Sequence, residues 1–237
     1  TGTIRIGFSR TWKQVKSGIV YTITETRTPD ASLTLLTTEY SHRMTKAEMS
    51  AAGLTSVLGA ATQTDVYETD QNIRTSVRQS YRQKLQANYL SGKLNNDGKI
   101  PVTITKVWEA ELTSMTNDNY TSIVYTYKNI ETIDTVKRLV TYTDTFIGTG
   151  SGASSDIFDT RTKTYYQERT DTLEGSAKKL VQVQLSFIGD GTLAGTYLDM
   201  FSFTYWKEGV EVADKSKKTV KTTENFLDIG TTSNAID

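Results

Sequence analysis

DVYETDQNIRTSVRQSYRQKLQANYLSG, residues Asp65–Gly92, is the stretch whose reading decides the fold. Ile73, Val77, Tyr81, Leu85 and Tyr89 recur at every fourth position, with Val66 one heptad before Ile73. That spacing lays a single apolar stripe along a helix, and Arg74, Arg78, Arg82 and Lys84 fall on its other faces. Asp65 followed by Glu68 has the form of a capped start. Ser91-Gly92 supplies a stop, because Gly accepts the left-handed conformation that ends helices. The expectation is one long helix over 66–91 with Ile73, Val77, Tyr81 and Leu85 as its core stripe. Each of these would contribute about 1.5–3 kcal/mol on burial.

Outward from this stretch, nearly everything alternates as β-strand. Thr fills roughly one position in six, well above ordinary usage, and a β-branched, half-polar residue suits the solvent face of a strand. The chain has 237 residues, ample for a core, of which 36% are apolar. Its 27 basic and 27 acidic residues cancel, so no global field draws in nucleic acid or an anionic membrane. Cys is absent and His42 is the only histidine. Thiolate sites, Cys nucleophiles and multi-His metal centres are excluded. No apolar run is long enough for a membrane-spanning helix, and Thr1-Gly2-Thr3 shows no signal-peptide pattern.

In order, Thr3–Ser9, Ile19–Arg27 and Ser32–His42 read as a three-stranded meander with a turn at Thr28-Pro29-Asp30. Thr45-Lys46-Ala47-Glu48 is a capping box that opens a second helix over Met49–Ala61. The two helices make a helical insertion over 45–91 in a single β-rich domain spanning 1–237. Strands resume at Pro101 and recur at Ser122–Lys128, Leu139–Ile147, Leu180–Ile188, Tyr197–Trp206 and Val210–Val212. Gly189-Asp190-Gly191 and Lys207-Glu208-Gly209 read as turns, and 230–237 as a C-terminal tail. Ile157–Leu173 alternates Thr160, Thr162, Thr164 and Tyr166 against Arg161, Lys163, Tyr165 and Arg169. A strand polar on both faces gains little from a monomer's core, so 139–173 is expected to project as a long β-hairpin.

The chemical motifs are weak. Glu109 and Glu111 beside Trp108 have the residue types of a glycosidase pair, but solvent-facing Glu is commoner on a strand. His42 lacks a nucleophile elbow and reads as a surface or packing residue. The Gly148–Gly152 run lacks the helix that a phosphate-cradling loop requires. Asn119-Tyr120-Thr121 matches a glycosylation sequon, and Lys215–Lys221 is a basic cluster of the kind a solvated strand displays. No catalytic residue, metal ligand or cofactor is assigned.

The fold class is therefore mainly β: an antiparallel β-sandwich or partly closed barrel with one long helix and a projecting hairpin. Ordering such a hairpin alone costs more entropy than its burial returns, and a neighbouring subunit that pairs with it changes that balance. The expected function is a non-enzymatic subunit that self-assembles through strand addition. Its oligomer interface is expected at Thr141, Thr143, Thr145, Thr160, Thr162, Thr164 and Tyr166.

This outline resembles virion structural proteins of tailed phages, such as tail-tube, neck or capsid-decoration subunits. The resemblance lies in the β-sandwich, the flanking helix and the long hairpin, and no functional residue carries over from it. It implies partners that are copies of the chain and neighbouring virion proteins, with no sequence-specific nucleic acid. It also implies a virion location after assembly in the host cytoplasm. Two alternatives imply an extracellular location. One is a pore-forming toxin of the aerolysin-like kind, which needs an apolar hairpin face that 157–173 lacks. The other is a carbohydrate-binding adhesin stacking sugars on Tyr120, Tyr165, Tyr166 and Trp206.

Overall fold

A computed structural model of the chain describes residues 8–29, 32–68, 73–85, 100–109, 119–149, 156–170, 178–191, 196–211 and 217–227. Within them the alternating stretches form β1 (Phe8–Lys16), β2 (Ile19–Arg27), β3 (Leu35–Arg43), β4 (Thr62–Glu68), β5 (Ile73–Leu85) and β6 (Ile100–Glu109). There follow β7 (Ser122–Ile133), β8 (Val136–Ile147), β9 (Ile157–Thr170), β10 (Lys178–Gly191), β11 (Thr196–Glu211) and β12 (Lys217–Leu227). One helix, α1 (Lys46–Ala51), interrupts them. The fold is mainly β, and the strand order in the sheet is the order in sequence. Each strand thus pairs with the ones before and after it, while β1 and β12 have a single neighbour among the described residues. In place of the expected β-sandwich or partly closed barrel, the described strands form one antiparallel sheet that is not closed.

The long helix is not there. Residues 73–85 are β5, paired with β4 on one side and β6 on the other. The reason lies in the spacing itself: an i, i+4 repeat returns to the same face of a strand as well as of a helix. What separates the two periods is the residues between. Positions 74, 76, 78, 80, 82 and 84 are Arg, Ser, Arg, Ser, Arg and Lys, a wholly polar set with the period of two that a half-buried strand requires. On a helix Arg74, Arg78 and Arg82 would instead repel one another at i, i+4. Val77 and Tyr81 are buried, but Ile73 is 47% exposed and Leu85 lies between. Tyr89 and the 86–92 stop lie outside the described residues.

Among the described residues, the helical insertion over 45–91 reduces to α1. Its capping box forms: Thr45 N–H donates to Glu48 Oε2 at 2.7 Å, and Glu48 N–H donates to Thr45 Oγ1 at 3.2 Å. The helix stops at Ala51 rather than running on to Ala61, and Gly53 follows in the left-handed region (φ 67°). The expected turn at Lys207-Glu208-Gly209 is a register shift inside β11, between Lys207 and Val210. Of the expected strand at Thr3–Ser9, residues 3–7 lie outside the described set, as does the 230–237 tail.

Contacts gather the chain into two compact units: Thr1–Tyr125 with Phe146–Ile157, and Thr126–Thr145 with Phe158–Asp237. In the first, Val77 pairs with Trp108 and Tyr81 with Ile104 across β5 and β6. All four are buried alongside Ile23, Val102, Tyr120, Ile123 and Tyr125. Trp108 donates its indole N–H to Asn119 Oδ1 at 3.0 Å and meets Tyr120 edge-on at 6.4 Å. Gly148 is required beside it, since a Cβ there would collide with the Tyr120 carbonyl oxygen.

The second unit overturns the projecting hairpin. β8 lies between β7 and β9, and β9 between β8 and β10, so both long edges of 139–173 are already paired. Its inward face is polar, but Arg161 and Lys163 each meet a carboxylate in place. Arg161 and Asp144 are 2% and 1% exposed and make a bidentate pair, Nε to Oδ1 at 2.6 Å and Nη2 to Oδ2 at 2.7 Å. Tyr127 donates its hydroxyl to Asp144 Oδ2 at 3.0 Å and stacks on Tyr142 at 5.0 Å between ring centres. The Arg161 guanidinium sits 5.3 Å from the Tyr142 ring. Tyr142 donates to Glu131, which also meets Lys163 at 3.5 Å. A buried ion pair that is bidentate and further hydrogen-bonded, as here through Tyr127, is compatible with a core. Two-sided polarity therefore failed to mark this ribbon as an outlier. Asp144 holds Arg161 charged against the cost of its burial.

Candidate assembly edge and the cleft beside it

The residues expected at an oligomer interface lie on one face of β8 and β9. Thr141, Thr143, Thr145, Thr160, Thr162 and Thr164 are half-buried there, and Tyr166 is 49% exposed. They have no backbone edge to offer, because their strands are interior to the sheet. Cross-strand hydroxyl pairs occupy the same kind of surface elsewhere: Thr11 with Thr24 at 3.0 Å and Thr204 with Thr223 at 2.9 Å.

The open edge lies instead on β1, which the sequence reading ended at Ser9. Ser17 (φ 51°) and Gly18 (φ 77°) both take positive φ, the signature of a two-residue hairpin turn of the primed type. From that turn the register with β2 runs unbroken, Lys16 opposite Ile19 through to Phe8 opposite Arg27. All nine residues of β1 are exposed. Phe8, Arg10, Trp12, Gln14 and Lys16 share the face of buried Ile23 and Glu25, while Ser9, Thr11, Lys13 and Val15 share the other. The sequence signal of this hairpin is the Ser17-Gly18 dipeptide, which the expected strand over Thr3–Ser9 left out.

Inward from β1 the sheet face is unusually polar. Arg10 Nε donates to Glu25 Oε2 at 2.7 Å, and Arg27 Nη2 donates to the same oxygen at 2.8 Å. The Arg10 guanidinium, joined by Arg27 and working against burial, holds the Glu25 carboxyl below its ordinary range. Further in, Gln79 donates to Gln63, Gln63 donates to Asp65, and Arg74 donates to Asp65 at 3.2 Å. Gln14, Lys16, Ser17, Tyr21, Ile23, Tyr40, Asp65 and Tyr67 line a cleft of about 420 Å³. Tyr40 and Tyr67 meet edge-on at 5.6 Å within it. Burial, with Asp65 nearby, pushes the Tyr67 hydroxyl up. The single carboxylate of this cleft is engaged by Arg74 and Gln63, so the arrangement presents aromatic and hydrogen-bonding surface rather than an acid–base pair.

The other sequence candidates disperse. His42 is buried, its ring tilted against Tyr21 at 4.9 Å and bonded through Nε2 to Glu48 Oε1 at 3.1 Å, while its Nδ1 has no hydrogen-bond partner. It packs the start of α1 against β3. Glu109 is exposed, and Glu111 lies outside the described residues. Of the aromatics expected to stack on sugars, Tyr120 and Tyr165 are buried and present no ring face to solvent. Tyr166 is exposed, and the Trp206 side chain lies outside the described residues. Asn119 of the sequon is engaged by Trp108. No group of metal-ligating side chains and no helix long and apolar enough to cross a membrane occurs among the described residues.

No family model, curated protein or solved structure matches the chain. The reading of the edge and cleft therefore rests on their chemistry.

Proposed function

We propose that the chain is a non-enzymatic structural subunit that assembles with copies of itself by adding strands at an open sheet edge. The observation that carries this reading is β1: nine residues long, exposed throughout, unbroken by proline or bulge, and paired on one side among the described residues. Such an edge offers a row of unpaired backbone donors and acceptors, which is the template for strand addition. Apolar side chains accompany it, with Phe8 at 37%, Trp12 at 36% and Val15 at 67% exposure. Arg10, Lys13 and Lys16 are the kind of cations that protect an edge from pairing. Arg10 is committed to Glu25, and only Lys13 stands mid-strand on the outer face.

The expected setting is a virion component, a tail tube, neck or decoration layer. Of the outline on which that resemblance rested, the flanking helix and the projecting hairpin are gone, and the antiparallel β chain remains. The experiment is sedimentation of the purified chain over a wide concentration range, with negative-stain micrographs of the native material. Regular rings, tubes or shells are expected. A monomer at every concentration and in the native particle sinks the reading.

A second reading, a saccharide-binding module, draws on the cleft, where Tyr21, Tyr40 and Tyr67 converge beside Gln14 and Asp65. A glycan array answers it, and binding lost in Tyr40→Ala is its expected signature.

A further inference from the structure

We infer that the partner strand at this edge is β1 of a second copy, antiparallel about a two-fold axis that passes through Trp12. This rests on the assembly reading above and specifies its seam. Residues flanking a two-residue turn share both ladder hydrogen bonds. Lys16 and Ile19 are therefore a hydrogen-bonded pair, and along the unbroken register so are Gln14 with Tyr21, Trp12 with Ile23, Arg10 with Glu25 and Phe8 with Arg27. The groups left pointing away from β2 belong to Ser9, Thr11, Lys13 and Val15.

An antiparallel partner must place these outward-pointing residues opposite one another. With Trp12 on the axis, Thr11 faces Lys13, Ser9 faces Val15, Arg10 faces Gln14 and Phe8 faces Lys16. Every outward N–H and C=O of both strands is then used, the whole of Phe8–Lys16 is paired, and no cation faces another. Sliding the partner two residues one way sets Lys13 against Lys13 and Arg10 against Lys16, like charges directly opposite. Sliding it two residues the other way pairs only Phe8–Gln14 with described residues, and sets Val15 and Lys16 opposite positions outside them. The two Trp12 side chains meet in a non-hydrogen-bonded pair, where strands bring side chains closest. A two-fold contact of this kind is isologous and closes on itself. The other open edge, β12, remains free for a different contact.

The chain contains no cysteine, so introduced thiols report the register directly. Trp12→Cys places a cysteine opposite its own copy and is expected to give a disulfide-linked dimer under mild oxidation. Arg10→Cys and Gln14→Cys are each expected to stay unlinked alone and to link when mixed. Thr11→Cys mixed with Lys13→Cys gives the same answer with the tryptophan retained, should Trp12→Cys fail to fold. Linkage of Arg10→Cys to itself, or no linkage of any of these pairs, overturns the seam. If Thr222→Cys on β12 links instead while Trp12→Cys does not, the seam fails and the assembly reading stands. If nothing links and sedimentation shows a monomer, both fail.

Discussion

β1 and β9 read alike as sequence and occupy opposite positions in the sheet. Both mix cations with Thr or Ser and few aliphatic residues. Yet β1 has no buried residue, while β9 buries Phe158, Arg161, Tyr165 and Gln167. The difference is the supply of partners. Arg161 meets Asp144 and Tyr127, Lys163 meets Glu131, and the Tyr142 ring lies against both cations. On β1, Arg10 finds Glu25 on one side and no described strand on the other. The polarity of a strand thus does not decide whether it lies at an edge. What decides is whether neighbouring strands bring the groups that satisfy it.

The largest effect expected from this contrast comes from Asp144. Asp144→Ala leaves Arg161 charged and buried with no counter-ion, and takes the acceptor from Tyr127. A loss of about 3–5 kcal/mol in unfolding free energy is expected, read from the denaturant midpoint. Replacing both partners, Asp144→Leu with Arg161→Met, is expected to recover most of that loss, because the cost lies in the orphaned charge. A single substitution no worse than an average surface change removes the distinction between the two strands.

Proline sharpens the contrast at the backbone. Thr162 lies in register within a strand that is paired on both sides, so Thr162→Pro deletes a ladder hydrogen bond and is expected to cost about 3 kcal/mol or more. Lys13→Pro deletes a donor that points away from β2 and is expected to change stability by less than about 1 kcal/mol. It is also expected to weaken association, as seen by sedimentation at fixed concentration. Equal destabilisation by the two prolines would mean that β1 is covered on both sides.

A smaller effect is expected at alkaline pH. Burial first, and the Asp144 carboxylate second, push the Tyr127 hydroxyl well above its ordinary range. A raised folded value favours the neutral phenol in the native state. Its contribution is whole below the unfolded value of about 10 and is lost as pH climbs past it. Stability measured up the alkaline limb is expected to fall, and Tyr127→Phe to flatten that fall. An unchanged limb in the variant would mean that another group carries the transition.

The mainly β character and most strand positions were legible from alternation alone, and β2 was read to the residue. The capping box at Thr45 was legible too, because it is a local exchange between backbone and side chain. β5 was not. An apolar repeat of four fits both periods, and only the wholly polar set between the apolar positions separates them. The place of β9 was not legible either, since Asp144 and Arg161 are seventeen residues apart and nothing local marks them as a pair. The edge at β1 was half legible. Ser17-Gly18 marks a hairpin, but that β1 has one neighbour is a property of the sheet.

The smallest effect concerns the single ion pair across β1 and β2. Arg10 and Arg27 depress the Glu25 carboxyl, with Arg10 the stronger influence. A depressed folded value means stabilisation that is present above the unfolded value of about 4.3 and lost as pH falls through the folded one. The Arg10 side chain is 55% exposed, so solvent screens the pair and the step is expected to stay under about 1 kcal/mol. Glu25→Gln is expected to remove that step but not the whole acid limb. Glu48 is depressed as well, chiefly by the Thr45 backbone N–H. Salt separates the two regions further: molar salt is expected to erase the Glu25 step and to leave the buried Asp144–Arg161 contribution standing. If Glu25→Gln cost as much as Asp144→Ala, β1 would be as enclosed as β9, and the open edge would have to be sought elsewhere.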